Sequence, residues 1–291
     1  MQSSSTKPTR LSLFAVLKVT GSDSEQLLQG QLTCNIKALT YNQASLAAFC
    51  NAKGRVISTI IVIKTPESFL LLLPKSLAEI VHKKLKMYVL RSQVVISDVS
   101  EQLKVFGFQE QTESKNSLPS KSFEVIPGAQ LTIKLPSAMS RFLIVAQESK
   151  PEDHDSNANT KWRFQDILDG FPWFEADKTE QYIPQALHID QFDGISFNKG
   201  CYTGQEIIAR THYLGKSKRS LIIAQTSEFL DAEALSSAVL NQQTQQIAGN
   251  ILSAANDGEQ TVLLIVLNNS ETENQSLVLA NQAQTKLMVR V

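Results

Sequence analysis

Lysine, cysteine, glutamine and glutamate fall within one short run: Lys199, Gly200, Cys201, Tyr202, Thr203, Gly204, Gln205 and Glu206. A thiolate is a nucleophile, and both a nearby ammonium and the positive end of a helix favour it over the thiol. The following run, 205–213, has helical spacing, with Glu206 and Arg210 set for an i,i+4 pair. A helix starting near Thr203 would put Cys201 close to its positive end and beside Lys199. The segment is therefore predicted to be a loop that delivers an activated thiol to a helix start. Gly200 and Gly204 allow backbone shapes that other residues resist, and let a ligand approach the main chain closely. Cys34 and Cys50 sit among apolar neighbours with no adjacent base and are expected to be packing residues.

Other chemistries find less support. The segment lacks the GK[ST] ending of a phosphate loop. A cysteine–histidine hydrolase needs a base, and only geometry could assign His188 or His212 to that role. The four histidines, His82, His154, His188 and His212, show no paired spacing, so no metal site is expected and each reads as a surface or hydrogen-bonding residue. An iron–sulfur cluster needs about four thiolates, or two with two histidines, and three scattered cysteines do not supply them. An odd number of unpaired thiols suits a reducing compartment, so a cytoplasmic location is expected.

Charge and hydropathy narrow the field further. The 291 residues carry 28 basic and 28 acidic side chains, a net charge of zero, which disfavours a dedicated nucleic-acid binder. Residues 1–10 are polar, without the apolar core of a secretory leader. The richest apolar stretches, 56–63 and 69–73, are separated by Lys64, Pro66 and Glu67 and are too short to span a bilayer.

These residues must be held by a sizeable scaffold, and the length suggests two or three domains. Residues 14–19 read as a strand, and 22–29 as a helix capped by Ser22 or Asp23 and closed by Gly30. Alternating runs at 45–50 and 55–63, joined by Asn51-Ala52-Lys53-Gly54, predict a hairpin. A strand at 69–73 precedes an amphipathic helix over 75–90, with Leu77, Ile80, Val81, Leu85 and Val89 on one face. This order predicts helices on a mostly antiparallel sheet, which strands at 131–135 and 142–146 and a helix at 161–170 would complete. Polar stretches at 109–122, 148–160 and 268–276 read as loops or linkers. After Lys218, short β-rich runs at 221–224, 247–252, 262–267, 277–279 and 287–291 predict a small barrel or sandwich.

The run KGCYTGQE (199–206), with GISF (194–197), IPQA (183–186), QGQLT (29–33) and NAKGRV (51–56), resembles the YgfZ family of folate-binding proteins. These are relatives of the glycine-cleavage aminomethyltransferase, GcvT. The likeness runs from about Leu11 into the C-terminal barrel, where 262–269 shares the family's character. It implies an α+β, GcvT-like three-domain architecture with ferredoxin-like α/β lobes and a C-terminal β-barrel. Residues 1–44 with 123–212 would form the folate-binding lobe carrying the motif, 45–122 the second lobe, and 213–291 the barrel.

The resemblance further implies tetrahydrofolate or another folate in a central channel. It implies a role in keeping iron–sulfur enzymes active, including a tRNA methylthiotransferase. The family's motif cysteine and lysine fall on Cys201 and Lys199, and its folate-binding tryptophan on Trp162. A second aromatic contact falls on Phe14 where the family has tryptophan, and phenylalanine keeps the stacking face but loses the indole N–H. A pterin also presents a donor–acceptor edge and an anionic tail. Gln205 or Glu206 would read the edge, Tyr202 completes the set, and Lys53, Arg55 or Lys199 could meet the tail, although Lys53 and Arg55 read first as solvated hairpin residues.

Two other readings stand beside this one. A tetrahydrofolate-dependent aminomethyltransferase needs a positioned carboxylate, and the 51–56 turn offers none. A tRNA-binding module would rest on the basic strip 210–219, with Lys216 and Lys218, against the zero net charge. The expectation is therefore an accessory protein more than an independent catalyst, with direct tRNA binding weak or absent and no membrane association.

Overall fold

The computed structural model describes residues 7–110, 118–147, 157–271 and 276–290. Of the three polar stretches expected as linkers, half of the first, most of the second and part of the third lie outside these residues, as does His154. In chain order the first elements are β1 (Thr9–Arg10), β2 (Phe14–Thr20), α1 (Ser24–Gln31), β3 (Ala44–Cys50), β4 (Val56–Lys64), β5 (Phe69–Pro74), α2 (Ala78–Lys86) and β6 (Val95–Asp98). Then come β7 (Leu103–Glu110), β8 (Val125–Ile126), β9 (Leu131–Lys134), β10 (Ser140–Gln147) and α3 (Ala158–Leu168). After a long connection built from short 3-10 turns follow α4 (Gln205–Leu214), β11 (Arg219–Thr226), α5 (Ala232–Ser236), β12 (Ala238–Asn241), β13 (Ile247–Asn256), β14 (Thr261–Asn268), β15 (Leu277–Leu279) and β16 (Gln282–Arg290).

The first sheet has the order β3-β4-β5-β2-β6. β5 is buried along its whole length and β4 everywhere but its last residue. Successive side chains point to opposite faces of a sheet, so both faces of these strands are covered. That is why VISTIIVIK and FLLLLP read as continuous apolar runs rather than alternations. The predicted hairpin is present, with Ala44 opposite Ile63 and a register shift at Cys50 where the turn begins.

Three local expectations need correction. α1 does not stop at Gly30 but runs to Gln31, because Leu32 turns extended to pair with Phe49. Asp23 precedes that helix, yet its carboxylate accepts from the backbone of Gln93 at 2.7 Å instead of capping its own first turn. The helix expected over 75–90 is shorter, with a 3-10 turn, Lys75–Leu77, leading into α2.

The strands around 131–146 do not complete the first sheet. They form a second one, ordered β1-β7-β10-β9-β8. The sheets also cut across the expected lobe boundaries: β2, before residue 44, pairs with β5, and β7, before residue 122, pairs with β10. Alternation tells a strand from a helix, but its partner is chosen by contacts distant in sequence. The third unit is a closed barrel, β11-β14-β13-β12-β15-β16, in which β16 pairs back onto β11 and leaves no open edge. β12 falls in a run that carried no clear alternation.

α3 joins two of these units, packing on β13 and β14 of the barrel while its other side meets the second sheet. There Arg141 of β10, 1% exposed, bonds Asp166 at 2.6 Å and also pairs with Asp169. Its guanidinium lies 4.1 Å from the centre of the Trp162 ring. Gly107 of β7 makes room for that indole, since a Cβ there would sit 2.4 Å from it.

Candidate functional site

The motif loop is held by hydrogen bonds to the other segments that accompany it in sequence. Lys199 is buried, and its Nζ donates to the carbonyls of Leu32 (2.6 Å) and Cys34 (2.8 Å) while lying 4.8 Å from the Tyr202 ring centre. The Thr203 N–H donates to the Gly30 carbonyl at 3.0 Å, and its hydroxyl meets Gln31 at 3.1 Å. Ser196 N–H reaches the Thr33 carbonyl at 2.9 Å, and the Thr33 hydroxyl returns a 2.6 Å bond to Gly194. GISF and KGCYTGQE are thus stitched to QGQLT.

NAKGRV joins through shape. Gly204 has φ +83°, and a Cβ on it would lie 2.6 Å from the Asn51 carbonyl oxygen and 2.8 Å from Gly54 Cα. Only glycine tolerates both the left-handed backbone and that approach. IPQA closes the group: Gln185 donates to the Ile208 carbonyl at 2.7 Å, and Val56 N–H donates to the Tyr182 carbonyl at 2.8 Å. Three separated segments therefore hold the motif loop and the helix it leads into, with Cys201 exposed upon the loop.

The geometry departs from the expected activation of that thiol. Lys199 is turned inward onto carbonyl oxygens, and burial pushes its pKa down to about 8. α4 begins at Gln205, four residues beyond Cys201, so the sulfur lies outside the first turn where a helix end acts most strongly. Gln205 accepts from Tyr202 N–H at 3.3 Å, and Tyr202 is itself buried, which raises its pKa. Lys199, Tyr202 and Gln205 thus hold the loop together, whereas Glu206 faces solvent. Gly200 has no close neighbour and no left-handed backbone.

Cys34 and Cys50 are buried as expected. Burial pushes the Cys34 thiol up to about 11 and raises Cys50 as well. Titration of the native protein with a thiol-reactive chromophore should therefore label one cysteine rapidly, mapping to Cys201 by mass spectrometry, and the other two only on unfolding. Rapid labelling of Cys34 would contradict the packing described here.

Phe14 and Trp162 do not lie at the loop. Phe14, 7% exposed, meets Trp173 edge to face, with ring centres 5.3 Å apart. These two rings line a narrow cleft with Phe174, Arg163, Asp166 and, from the barrel, Ser253. Burial pushes the Asp166 carboxyl up to about 6, against the pull of Arg141. Trp162 is buried behind this cleft, with its indole nitrogen unpartnered. Sequence reasoning missed Trp173 and Asp166, although the aromatic density of FPWF (171–174) was a signal for the first.

The histidines take structural places. His82 bonds the Ile96 carbonyl, His188 bonds Ser220 at the barrel entrance, and His212 stacks on Phe197 with ring centres 3.7 Å apart. Among the described residues, no three His, Cys, Asp or Glu side chains gather as a metal-ligand set. No helix among them is long and apolar enough to cross a membrane.

Comparison with known proteins places this architecture. The GCVT N-terminal domain family matches residues 9–109. The tRNA-modifying protein YgfZ of Escherichia coli (strain SE11) is 33% identical over 289 residues, covering 94% of this chain and 88% of the relative. The chain belongs to the YgfZ family. The YgfZ protein of Escherichia fergusonii is 34% identical over 273 residues, covering 88% of this chain and 83% of that one. The crystal structure of glycine cleavage system aminomethyltransferase T from Bartonella henselae matches 97% of this chain and 84% of its own, with a TM-score of 0.73. At 9% identity that likeness shows the fold, GcvT-like with a closed C-terminal barrel.

Proposed function

We propose that this chain is a cytoplasmic, folate-binding accessory protein of tRNA modification. It supports iron–sulfur enzymes, such as a tRNA methylthiotransferase, through the thiol of Cys201. The observation that carries this reading is the contrast among the three cysteines: two are buried, and the one in KGCYTGQE stands exposed on a loop that is itself held by segments distant in sequence. The name of its relatives, tRNA-modifying protein, supports the same direction.

The aromatic cleft has the side chains that tetrahydrofolate or another folate calls for. Phe14 and Trp173 offer ring faces to a pterin, the Asp166 carboxylate offers an acceptor for its N–H edge, and Arg163 offers a guanidinium for the glutamate tail. Arg163 is paired with Glu175 at 2.5 Å, so the tail would compete with that carboxylate. The cleft is tight, and a pterin enters it by opening the Phe14–Trp173 contact. Trp162 supports the site from behind, through Arg141 and Asp166. The cleft-lining carboxylate also keeps alive the aminomethyltransferase reading, which methylene-tetrahydrofolate formation from an aminomethylated carrier protein would establish.

Calorimetric titration with tetrahydrofolate should show binding to the native protein, weakened about tenfold by Trp173→Ala through loss of the ring contact. In cells, Cys201→Ala should lower tRNA methylthiolation under oxidative growth. Equal folate affinity in the Trp173 variant would remove the cleft from this proposal, and unchanged methylthiolation would remove the thiol.

A further inference from the structure

A cleft of about 1040 Å³ lies between the 51–55 turn, the 180–186 segment, α4 and the residues that lead into β11. Its walls carry five cations, Lys53, Arg55, Lys216, Lys218 and Arg219, against one carboxylate, Glu180. Glu180 is already paired with Lys84 at 2.7 Å. Among the described residues, none of the five cations forms an ion pair. The chain as a whole is neutral, so this is a local concentration of one sign, gathered from segments more than 150 residues apart. Like charges facing one another across a cleft repel and destabilise the fold, whereas a polyanion between them reverses the sign of that term.

The shape of the cleft, and the aromatic side chains that follow its wall residue Thr211 in the chain, favour one class of polyanion. Cations on both walls of an open cleft suit a string of charges better than a single phosphate. Beyond Thr211, α4 ends in an aromatic group: Tyr213, 63% exposed, stands edge-on to His212, which stacks on Phe197. Exposed π faces beside a basic groove are the means by which proteins hold unpaired bases, while an acidic peptide has no use for them. The phenol oxygen of Tyr182, in the cleft wall, is buried without a partner. Cys201 is near at hand: it stands three positions before Gly204, which packs on the 51–54 turn, and that span is at most about 11 Å.

We propose that this cleft binds the phosphodiester backbone of a single-stranded or loop segment of RNA and presents it beside Cys201. The weak or absent tRNA contact expected from composition rested on net charge, which does not register how the fold sorts the charges. The inference does not depend on folate binding, because none of the five cations lines the aromatic cleft.

The test is fluorescence anisotropy with a labelled RNA stem–loop over a range of salt concentrations. Native protein should bind with an affinity that falls as salt rises. The triple variant Lys53→Gln, Lys216→Gln, Lys218→Gln should bind roughly tenfold or more weakly at low salt, with a log–log salt slope shallower by about 2, as expected when three contacts at ~0.7 each are lost. A control with the same charge change on other exposed surface, Lys37→Gln, Lys75→Gln, Lys121→Gln, should bind within about twofold of native, since none of those lysines lines the cleft. Arg55 is left intact in both because it bonds the Gln181 carbonyl at 2.9 Å. Native-like RNA binding by the cleft variant overturns the proposal, as does an equal loss in the control or tighter capture of labelled poly-glutamate than of RNA. Tetrahydrofolate affinity, measured on the same variants, should stay unchanged, which separates this result from failure of the folate reading.

Discussion

Replacing Arg141 with alanine is expected to lower the free energy of unfolding at pH 7 by about 3–5 kcal/mol, because it leaves buried carboxylates without their cation. Arg141, Asp166 and Asp169 have side chains 1–5% exposed, so water cannot take over the lost bonds. The effect should depend on pH in a defined direction. In the native protein burial raises Asp166 from 3.8 to about 6 despite Arg141, so its contribution to stability is fully present below about pH 4 and is lost as pH rises through 6. Without Arg141 the carboxyl is pushed higher still. The gap between variant and native protein should therefore widen from pH 4 to pH 7. Urea unfolding at the two pH values measures this, and a loss under about 1 kcal/mol at pH 7 would mean that the triad is solvated. Since Asp166 and Arg163 belong to α3, which also packs on the barrel, folate affinity should fall along with stability.

Gly204→Ala should be the most damaging single methyl in the motif. The left-handed backbone costs an L-residue about 1–2 kcal/mol. The added Cβ would also meet the Asn51 carbonyl oxygen at 2.6 Å, a contact with backbone that cannot rotate away. Overpacking of that kind costs a further 1–3 kcal/mol, roughly. The damage should be local, parting the 51–55 turn from α4, and hydrogen exchange at 51–56 and 203–205 should report it. Gly200→Ala is the matched comparison: with open space around it and no left-handed backbone, it should stay within about 0.5 kcal/mol of native. Equal tolerance of both changes would show that the turn and the motif loop are not interlocked.

The contrast between these two glycines shows what sequence could and could not tell. Both stood in one motif with the same expected freedom, and what separates them is the left-handed backbone of Gly204 and the approach of Asn51, some 150 residues earlier. Lys199 is a similar case. Its place beside Cys201 in the chain suggested that it activates the thiol, but its partners are the carbonyls of Leu32 and Cys34, more than 160 residues away. Trp162, expected to stack on a ligand, instead lies over Arg141, a residue on another element whose burial no pattern announced.

What the sequence alone determined is what short-range physics decides. Period and turn chemistry were enough for the hairpin of β3 and β4, for α4, and for five of the six barrel strands, because these depend on neighbours a few residues apart. The motif segments marked the family and pointed to the cysteine that stands exposed. Tertiary structure alone decided which strands share a sheet, which way Lys199 points, and that Lys53 and Arg55 face Lys216, Lys218 and Arg219 across one cleft. The basic strip 210–219 marked one wall of that cleft, but nothing in the sequence set Lys53 and Arg55 opposite it, because charge adds over the sequence whereas the electrostatic field depends on distance.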